Sequence, residues 1–103
     1  MTLDEFRATL SDASPPSVSS ALIALWHDAR GDWERAHDVA QAVDDDSGSW
    51  VHAYLHRKEG DLGNAGYWYR QARRPVATNA LSDEWNEIVA TLLGDEPKRK
   101  GRA

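Results

Sequence analysis

Apolar residues recur through most of the chain at intervals of three and four, which is the spacing that places them on one face of an α-helix. The clearest such stripe comprises Trp85, Ile88, Val89, Leu92 and Leu93. No segment alternates apolar and polar residues in the way that a half-buried strand does. The pattern therefore predicts an all-α fold of about six helices.

Capping residues and helix breakers divide this pattern into its predicted helices. Thr2 is suited to cap a short first helix, Ser14 or Ser17 to cap the second, and Ser82 to cap the last. The later helices are predicted at residues 18–29, 33–43, 49–59, 62–73 and 83–94. We expect residues 1–94 to form one domain and the polar residues 95–103 to be a disordered tail.

Two parts of the pattern resemble each other at an offset of 29 residues, which superimposes Gly31-Asp32 on Gly60-Asp61. Both copies read as a helix, a Gly-Asp pair, a large apolar residue, two polar residues, an alanine and a second helix. Glycine allows the left-handed conformation that ends one helix, and aspartate can cap the next. The repeat predicts two helical hairpins with matching corners.

These residues resemble the tetratricopeptide repeat, whose second helix typically begins Gly-Asp-Tyr-x-x-Ala. The matching residues are Gly31, Asp32, Trp33, Ala36, Gly60, Asp61, Leu62, Ala65, Tyr69 and Ala72, with Pro75 near the closing proline of the family and Ala24 and Ala53 at its small position. The offset is shorter than the usual repeat of about 34 residues, and His27 and His56 replace a tyrosine-like residue. The second copy also looks like short bacterial proteins of this type. The resemblance implies stacked helical hairpins, with the first and last helices capping the two ends.

Charge is distributed unevenly in a chain whose net charge is −5. Residues 1–46 carry ten acidic and three basic side chains, whereas residues 57–74 carry five basic and two acidic ones. The acidic balance argues against nucleic-acid binding by the whole chain. It leaves a local cationic patch, which consists of Arg57, Lys58, Arg70, Arg73 and Arg74.

Several classes of protein are disfavoured by what the sequence lacks. Cysteine is absent, which excludes disulfides and thiolate metal sites. The N-terminus has no secretory-signal pattern, and no apolar run is long enough to span a bilayer, so we expect a soluble cytoplasmic protein that does not contact membranes. Because a phosphate-binding glycine loop, a Gly-x-Ser-x-Gly motif and a Ser-His-Asp signature are also missing, we expect that it is not an enzyme.

The resemblance implies an interaction surface, because the first helix of each repeat pair lines a concave groove in that family. By position, the groove residues here are Trp50, Tyr54, Arg57 and Lys58. A basic, aromatic groove suits an acidic ligand or a C-terminal carboxylate. We therefore predict a small adaptor that binds a protein or a peptide, and a homodimer is a further alternative.

The run around Tyr67, Trp68 and Arg70, with Asn64 one turn earlier, extends this predicted surface. On a helix these side chains spread around most of the circumference, so they cannot all lie in the core. Exposed Tyr, Trp and Arg are the residue types that anchor interfaces. The alternative is that Trp68 packs on the helix that contains Trp85.

The histidines suggest a function of a different class. His52 and His56 are four residues apart and share a helix face, so both imidazoles can bind one metal ion, with His27 or His37 as a third ligand. This alternative implies zinc as the cofactor, whereas the adaptor prediction needs no cofactor. Ala53 follows His52, so the His-Glu-x-x-His motif of metalloproteases is absent. The structural alternative is a pair of semi-buried histidines that hydrogen-bond to neighbouring groups.

Overall fold

The computed structural model describes residues 1–96, and every regular element in this part of the chain is helical. The elements are α1 (Leu3–Ala8), a short 3₁₀ turn (Thr9–Ser11), α2 (Ser20–Ala29), α3 (Trp33–Gln41), α4 (Asp46–Glu59), α5 (Leu62–Ala72) and α6 (Leu81–Gly94). The prediction of an all-α fold with six α-helices is confirmed. No helix in residues 1–96 is both long enough and apolar enough to cross a membrane.

The two predicted Gly-Asp corners have the same geometry. Gly31 and Gly60 adopt left-handed φ values of 85° and 92°, which an L side chain rarely adopts. The Asp32 carboxylate accepts a hydrogen bond from the backbone N–H three residues later at 3.1 Å, and Asp61 repeats this bond at 3.2 Å. Each corner therefore ends one helix and caps the next, which forms the hairpins α2–α3 and α4–α5.

Two predicted helix starts in the first half of the chain differ from the structure. The N-cap of α2 is Ser19 rather than Ser14 or Ser17, because the chain up to Val18 forms a turn in which the Val18 N–H bonds to the Pro16 carbonyl at 3.0 Å. Helix α4 starts at Asp46, three residues before the predicted start at residue 49.

An unrecognised cap explains the early start of α4. The Asp45 carboxylate accepts a hydrogen bond from the Gly48 N–H at 3.1 Å. Asp46 then lies in the first turn, where its negative charge favours the helix dipole. At the last helix, Ser82 lies inside the first turn instead of capping it, because the N-cap is Ala80.

Helix α4 lies at the centre of the molecule. It packs against α5 within its own hairpin, against α2 and α3 of the first hairpin, and against α6. Helix α6 also contacts α2, and α1 packs on α6. As a result, every residue from Trp50 to His56 is buried, on all sides of the helix.

The connection between the two hairpins is short and tightly packed. Helix α3 ends at Gln41 and α4 begins at Asp46. Val43 lies so close to Gly48 that a Cβ atom on residue 48 would be 2.3 Å from the Val43 carbonyl oxygen. A glycine at this position therefore permits the close approach of the end of α3 to the start of α4.

Helix α6 ends at Gly94, and the structure describes the first two residues of the predicted tail, Asp95 and Glu96. Asp95 is the C-cap of α6, and the Glu96 carboxylate accepts a hydrogen bond from the Ser19 N–H at 3.0 Å. These two residues therefore continue the folded part of the chain. The remainder of the predicted tail, residues 97–103, lies outside the described residues.

Candidate functional site

Three histidines from the two hairpins converge in one cluster, which we call the histidine cluster: His37, His52 and His56. One ring nitrogen from each lies within 4.8 Å of those of the other two. The Nε2 atoms of His37 and His52 are 3.0 Å apart. The cluster therefore concentrates three nitrogen donors in a space that one ion can fill.

Helix geometry and aromatic stacking position these imidazoles. His52 and His56 are one turn apart on α4, and their rings stack at 4.8 Å between centroids. The Trp33 ring stacks on His37 at 5.0 Å, and the Trp68 ring stacks on His52 at 4.0 Å. Because the indoles flank the cluster from α3 and α5, they restrict rotation of the imidazoles.

The environment of His52 favours its uncharged imidazole. Burial, and then the neighbouring His37 and His56, lower the pKa of His52 to about 4. The short contact between His37 and His52 also requires one nitrogen to donate and the other to accept, which two imidazolium rings cannot do. A neutral imidazole is the form of histidine that binds a metal ion.

A carboxylate orients the third ring. The His56 Nδ1 atom lies 2.6 Å from Glu59 Oε1, so that Nδ1–H donates to the carboxylate. The Asn64 side-chain nitrogen lies 3.3 Å from His56 Nε2, which fits an amide that donates to an unprotonated nitrogen. This arrangement assigns the lone pair of His56 to Nε2, and a carboxylate in this role is common behind metal-binding histidines.

The geometry of the cluster fits a small tetrahedral ion. Zinc binds imidazole nitrogens at about 2.0 Å, so ligand nitrogens in a tetrahedral site are separated by roughly 3.3 Å. The distance between His37 and His52 is already near this value, at 3.0 Å. Closure around an ion requires a modest movement of His56 and displacement of the Asn64 amide.

The fourth histidine does not belong to the cluster. His27 lies on α2, where its ring contacts Trp26 edge-on at 5.2 Å between centroids. Among the described residues it is part of no group of potential metal ligands. Of the two predicted third ligands, the structure therefore brings His37 to the site and leaves His27 elsewhere.

Glu59 is the residue of this site that sequence reasoning missed. It follows His56 by three residues on α4, so the two side chains lie on the same helix face. That spacing is readable from the sequence and could have indicated the carboxylate partner. Trp33 precedes His37 by four residues on α3, so its position was readable in the same way, whereas the contact between Trp68 and His52 joins α5 to α4 and was not.

The prediction that Trp50 and Tyr54 line an open groove is wrong. Trp50 is 5% exposed and Tyr54 is 3% exposed. Their side of α4 is covered by α2 and α6. Helix α6 thus covers the face of α4 that we expected, from the resemblance, to be an open groove.

Arg57 and Lys58, also predicted to line the groove, bind buried carboxylates instead. Arg57 Nη1 lies 2.8 Å from Glu84 Oε1, and Lys58 Nζ lies 3.0 Å from Asp28 Oδ1. Sequence analysis did not single out either carboxylate, because a buried acid and an exposed acid look alike without the fold. These two cations stabilise the helix packing, so they are not free for a partner in this conformation.

A tyrosine completes each of these pairs. Tyr54 donates to Asp28 Oδ2 at 3.2 Å, and Tyr69 donates to Glu84 Oε2. Burial first, and then the adjacent carboxylate, raises the pKa of both tyrosines. Both phenols therefore remain protonated donors across the neutral pH range.

The predicted surface residues of α5 are only partly exposed. Tyr67 is 46% exposed and Arg70 is also exposed, whereas Asn64 is half-buried beside His56. Trp68 is half-buried against His52, so the alternative that it packs on the helix of Trp85 is wrong. The outer face of α5 is the part of the predicted interaction surface that remains accessible.

No protein-family model matches the chain, and comparisons with curated proteins and with solved structures give no significant match. The resemblance to the tetratricopeptide repeat therefore stays a prediction.

Proposed function

We propose that this protein binds one divalent transition-metal ion through His37, His52 and His56, and that zinc is the ion best suited to the site. The observation that carries the proposal is the convergence of three imidazole nitrogens within 4.8 Å. Two of these histidines come from α4 and the third from the other hairpin.

The chemistry of the donors supports this choice of ion. Three imidazoles without a thiolate or a directly coordinating carboxylate suit zinc, copper and nickel rather than calcium or magnesium, which prefer oxygen ligands. Three protein ligands leave the fourth position of a tetrahedral ion to water or a small anion. Glu59 would act behind His56 as the carboxylate that holds the ring and increases its basicity.

Metal binding at this position would join the two hairpins. His37 belongs to α3, whereas His52 and His56 belong to α4. An ion bound to all three would add a cross-link between α3 and α4, the two helices that the loop between the hairpins connects. The proposed role is thus that of a metal-binding helical protein whose ion also stabilises the hairpin stack.

The experiment is a titration of untagged, chelator-treated protein with Co²⁺, followed by competition with Zn²⁺. We expect intense visible d–d absorption that saturates at one ion per chain and disappears when zinc displaces cobalt. His37→Ala and His52→Ala should lose the absorption. His27→Ala removes a histidine outside the cluster and is the matched control.

Two results would contradict the proposal. The first is the absence of saturable visible absorption in folded wild-type protein. The second is an equal loss of metal binding in His27→Ala and His37→Ala, because this would show that the ion binds somewhere other than the histidine cluster. Circular dichroism of each variant confirms that the helices are intact.

We propose protein interaction through the outer face of α5 as a second candidate function. Leu62 is 68% exposed and Tyr67 is 46% exposed, and Arg70 lies nearby on the same helix. Large exposed apolar side chains beside an arginine are typical of interface anchors. This candidate retains the adaptor prediction for α5 only, since Trp50 and Tyr54 are buried.

Light scattering and pull-down experiments with Tyr67→Ala and Arg70→Glu test this second candidate. A homodimer that dissociates in either variant would support self-association through α5. A partner that is retained by wild type and lost by both variants would support an adaptor. If both variants keep the mass and the partners of wild type, α5 is not the interaction surface.

A further inference from the structure

A cleft of about 310 Å³ lies where α1, α2, α4 and α6 meet, on the side of α4 that faces away from the histidine cluster. Apolar side chains of Leu10, Leu81 and Trp85 form part of its wall. Arg7 and Lys58 also line the cleft. An apolar wall with a few polar groups, at this volume, is the usual composition of a small-molecule site.

The charges in the cleft are not balanced. The buried Asp28 carboxylate is occupied on both oxygens, because Oδ1 accepts from Lys58 at 3.0 Å and Oδ2 accepts from Tyr54 at 3.2 Å. This set is neutral as a whole. Arg7 is exposed, and its hydrogen bond to Asn86 Oδ1 is long, at 3.4 Å.

Arg7 forms no salt bridge within residues 1–96. The cleft therefore carries an excess positive charge at Arg7, next to its apolar wall. A guanidinium can bind a carboxylate through two parallel hydrogen bonds, which a weakly held arginine is free to form.

We propose that this cleft binds a small amphipathic carboxylate. Its carboxylate binds Arg7, and its apolar portion packs against Leu10, Leu81 and Trp85. None of the three clustered histidines lines the cleft, so this site is independent of the proposed metal site.

The test uses phenylacetate as the probe and ¹⁵N NMR as the readout. The indole N–H of Trp85 donates to the Leu25 carbonyl at 3.1 Å and reports on the cleft, whereas the Trp33 indole lies beside the histidine cluster. We expect a saturable shift of the Trp85 signal and little change at Trp33. Phenylacetamide, which has the same shape without the charge, should bind at least about tenfold more weakly.

Variants then assign the binding group. Arg7→Gln should weaken phenylacetate binding by about tenfold and bring it close to that of the amide. Arg35→Gln is the matched control, because Arg35 is an exposed arginine on α3 and does not line the cleft. It should bind phenylacetate as wild type does.

Three results would overturn the proposal. One is that none of benzoate, phenylacetate and phenylpropionate causes a saturable shift at Trp85. Another is equal affinity for phenylacetate and phenylacetamide, or unchanged affinity in Arg7→Gln. The last is tighter binding of phenethylamine than of phenylacetate, which would identify a site for cations. All spectra are recorded with a chelator present, so that their outcome does not depend on metal binding.

Discussion

The two sides of α4 differ in how their buried polar groups are paired. Towards α2 and α6, each buried carboxylate is matched within the protein, since Asp28 and Glu84 each accept hydrogen bonds from one cation and one tyrosine. Towards α3 and α5, three imidazoles face one another. Glu59 is bound to one of them, through His56 Nδ1.

This difference separates the structural role of the ion pairs from the binding role that we propose for the histidine cluster. A carboxylate with a full set of donors is explained by the packing of the helices that it joins. In the histidine cluster, the contact between His37 and His52 pairs one donor nitrogen with one acceptor, and His56 Nε2 accepts from the Asn64 amide. The metal ion that we propose would replace these contacts in the histidine cluster, whereas the carboxylates of the ion pairs already have their donors.

The largest expected effect is on the free energy of unfolding, through the ion pairs on the side of α4 that faces α2 and α6. Glu84→Ala removes the partner of both Arg57 and Tyr69, so we expect the free energy of unfolding to fall by about 3–5 kcal/mol. Urea unfolding measures this loss. Glu87→Ala, an exposed acid on the same helix, should change stability by about 0.5 kcal/mol or less. A small effect of Glu84→Ala would mean that the contacts of Glu84 with Arg57 and Tyr69 do not stabilise the fold.

The next effect is the stabilisation by zinc that we expect at the histidine cluster, on the side of α4 that faces α3 and α5. Zinc at a free concentration about a hundredfold above its dissociation constant should increase the free energy of unfolding by about 2.7 kcal/mol. The increase should vanish in His37→Ala, persist in His27→Ala, and be reversed by a chelator in wild type. Thermal unfolding with and without zinc provides the measurement. Equal stabilisation of His37→Ala and His27→Ala would show that zinc does not act through the histidine cluster, and the proposed difference between the two sides of α4 would be wrong.

The smallest effect is a pH dependence of the metal-free protein. The pKa of His52 is lowered from 6.5 to about 4 in the folded state, so the unfolded chain binds more protons between these values. Stability is therefore complete above pH 6.5 and is lost as the pH falls towards 4, by about 1 kcal/mol over the first unit.

The control for this pH dependence is His52→Gln, which has no titrating ring at this position. Its stability should decline less steeply than that of wild type over the same range, in urea unfolding with a chelator present. Parallel curves for the two proteins would show that His52 is not the group responsible.

The helices and their corners were predictable because their signals are local. A left-handed glycine followed by a capping aspartate needs only neighbouring residues, and Gly31 and Gly60 both have the predicted conformation. The early start of α4 was not predicted because Asp44, Asp45 and Asp46 are adjacent in the sequence and the cap is formed by Asp45. Its cap on Gly48 depends on which of the three faces the helix.

The orientation of α4 was not predictable from periodicity. Each residue from Trp50 to His56 is buried, so no polar face indicated which side was covered. The resemblance suggested an open groove, but α6 packs on that side and buries Tyr54. His37 and His27 were equivalent candidates for the same reason, since the choice depends on how the hairpins stack.

The absence of a side chain at residue 48 has a consequence for the metal site that we propose. A methyl group there would collide with the Val43 carbonyl and push the end of α3 outwards from the start of α4. His37 lies on α3, so its nitrogen would move away from the two on α4. In the metal site that we propose, the separation of the ligand nitrogens would thus depend on a backbone contact remote from the histidines.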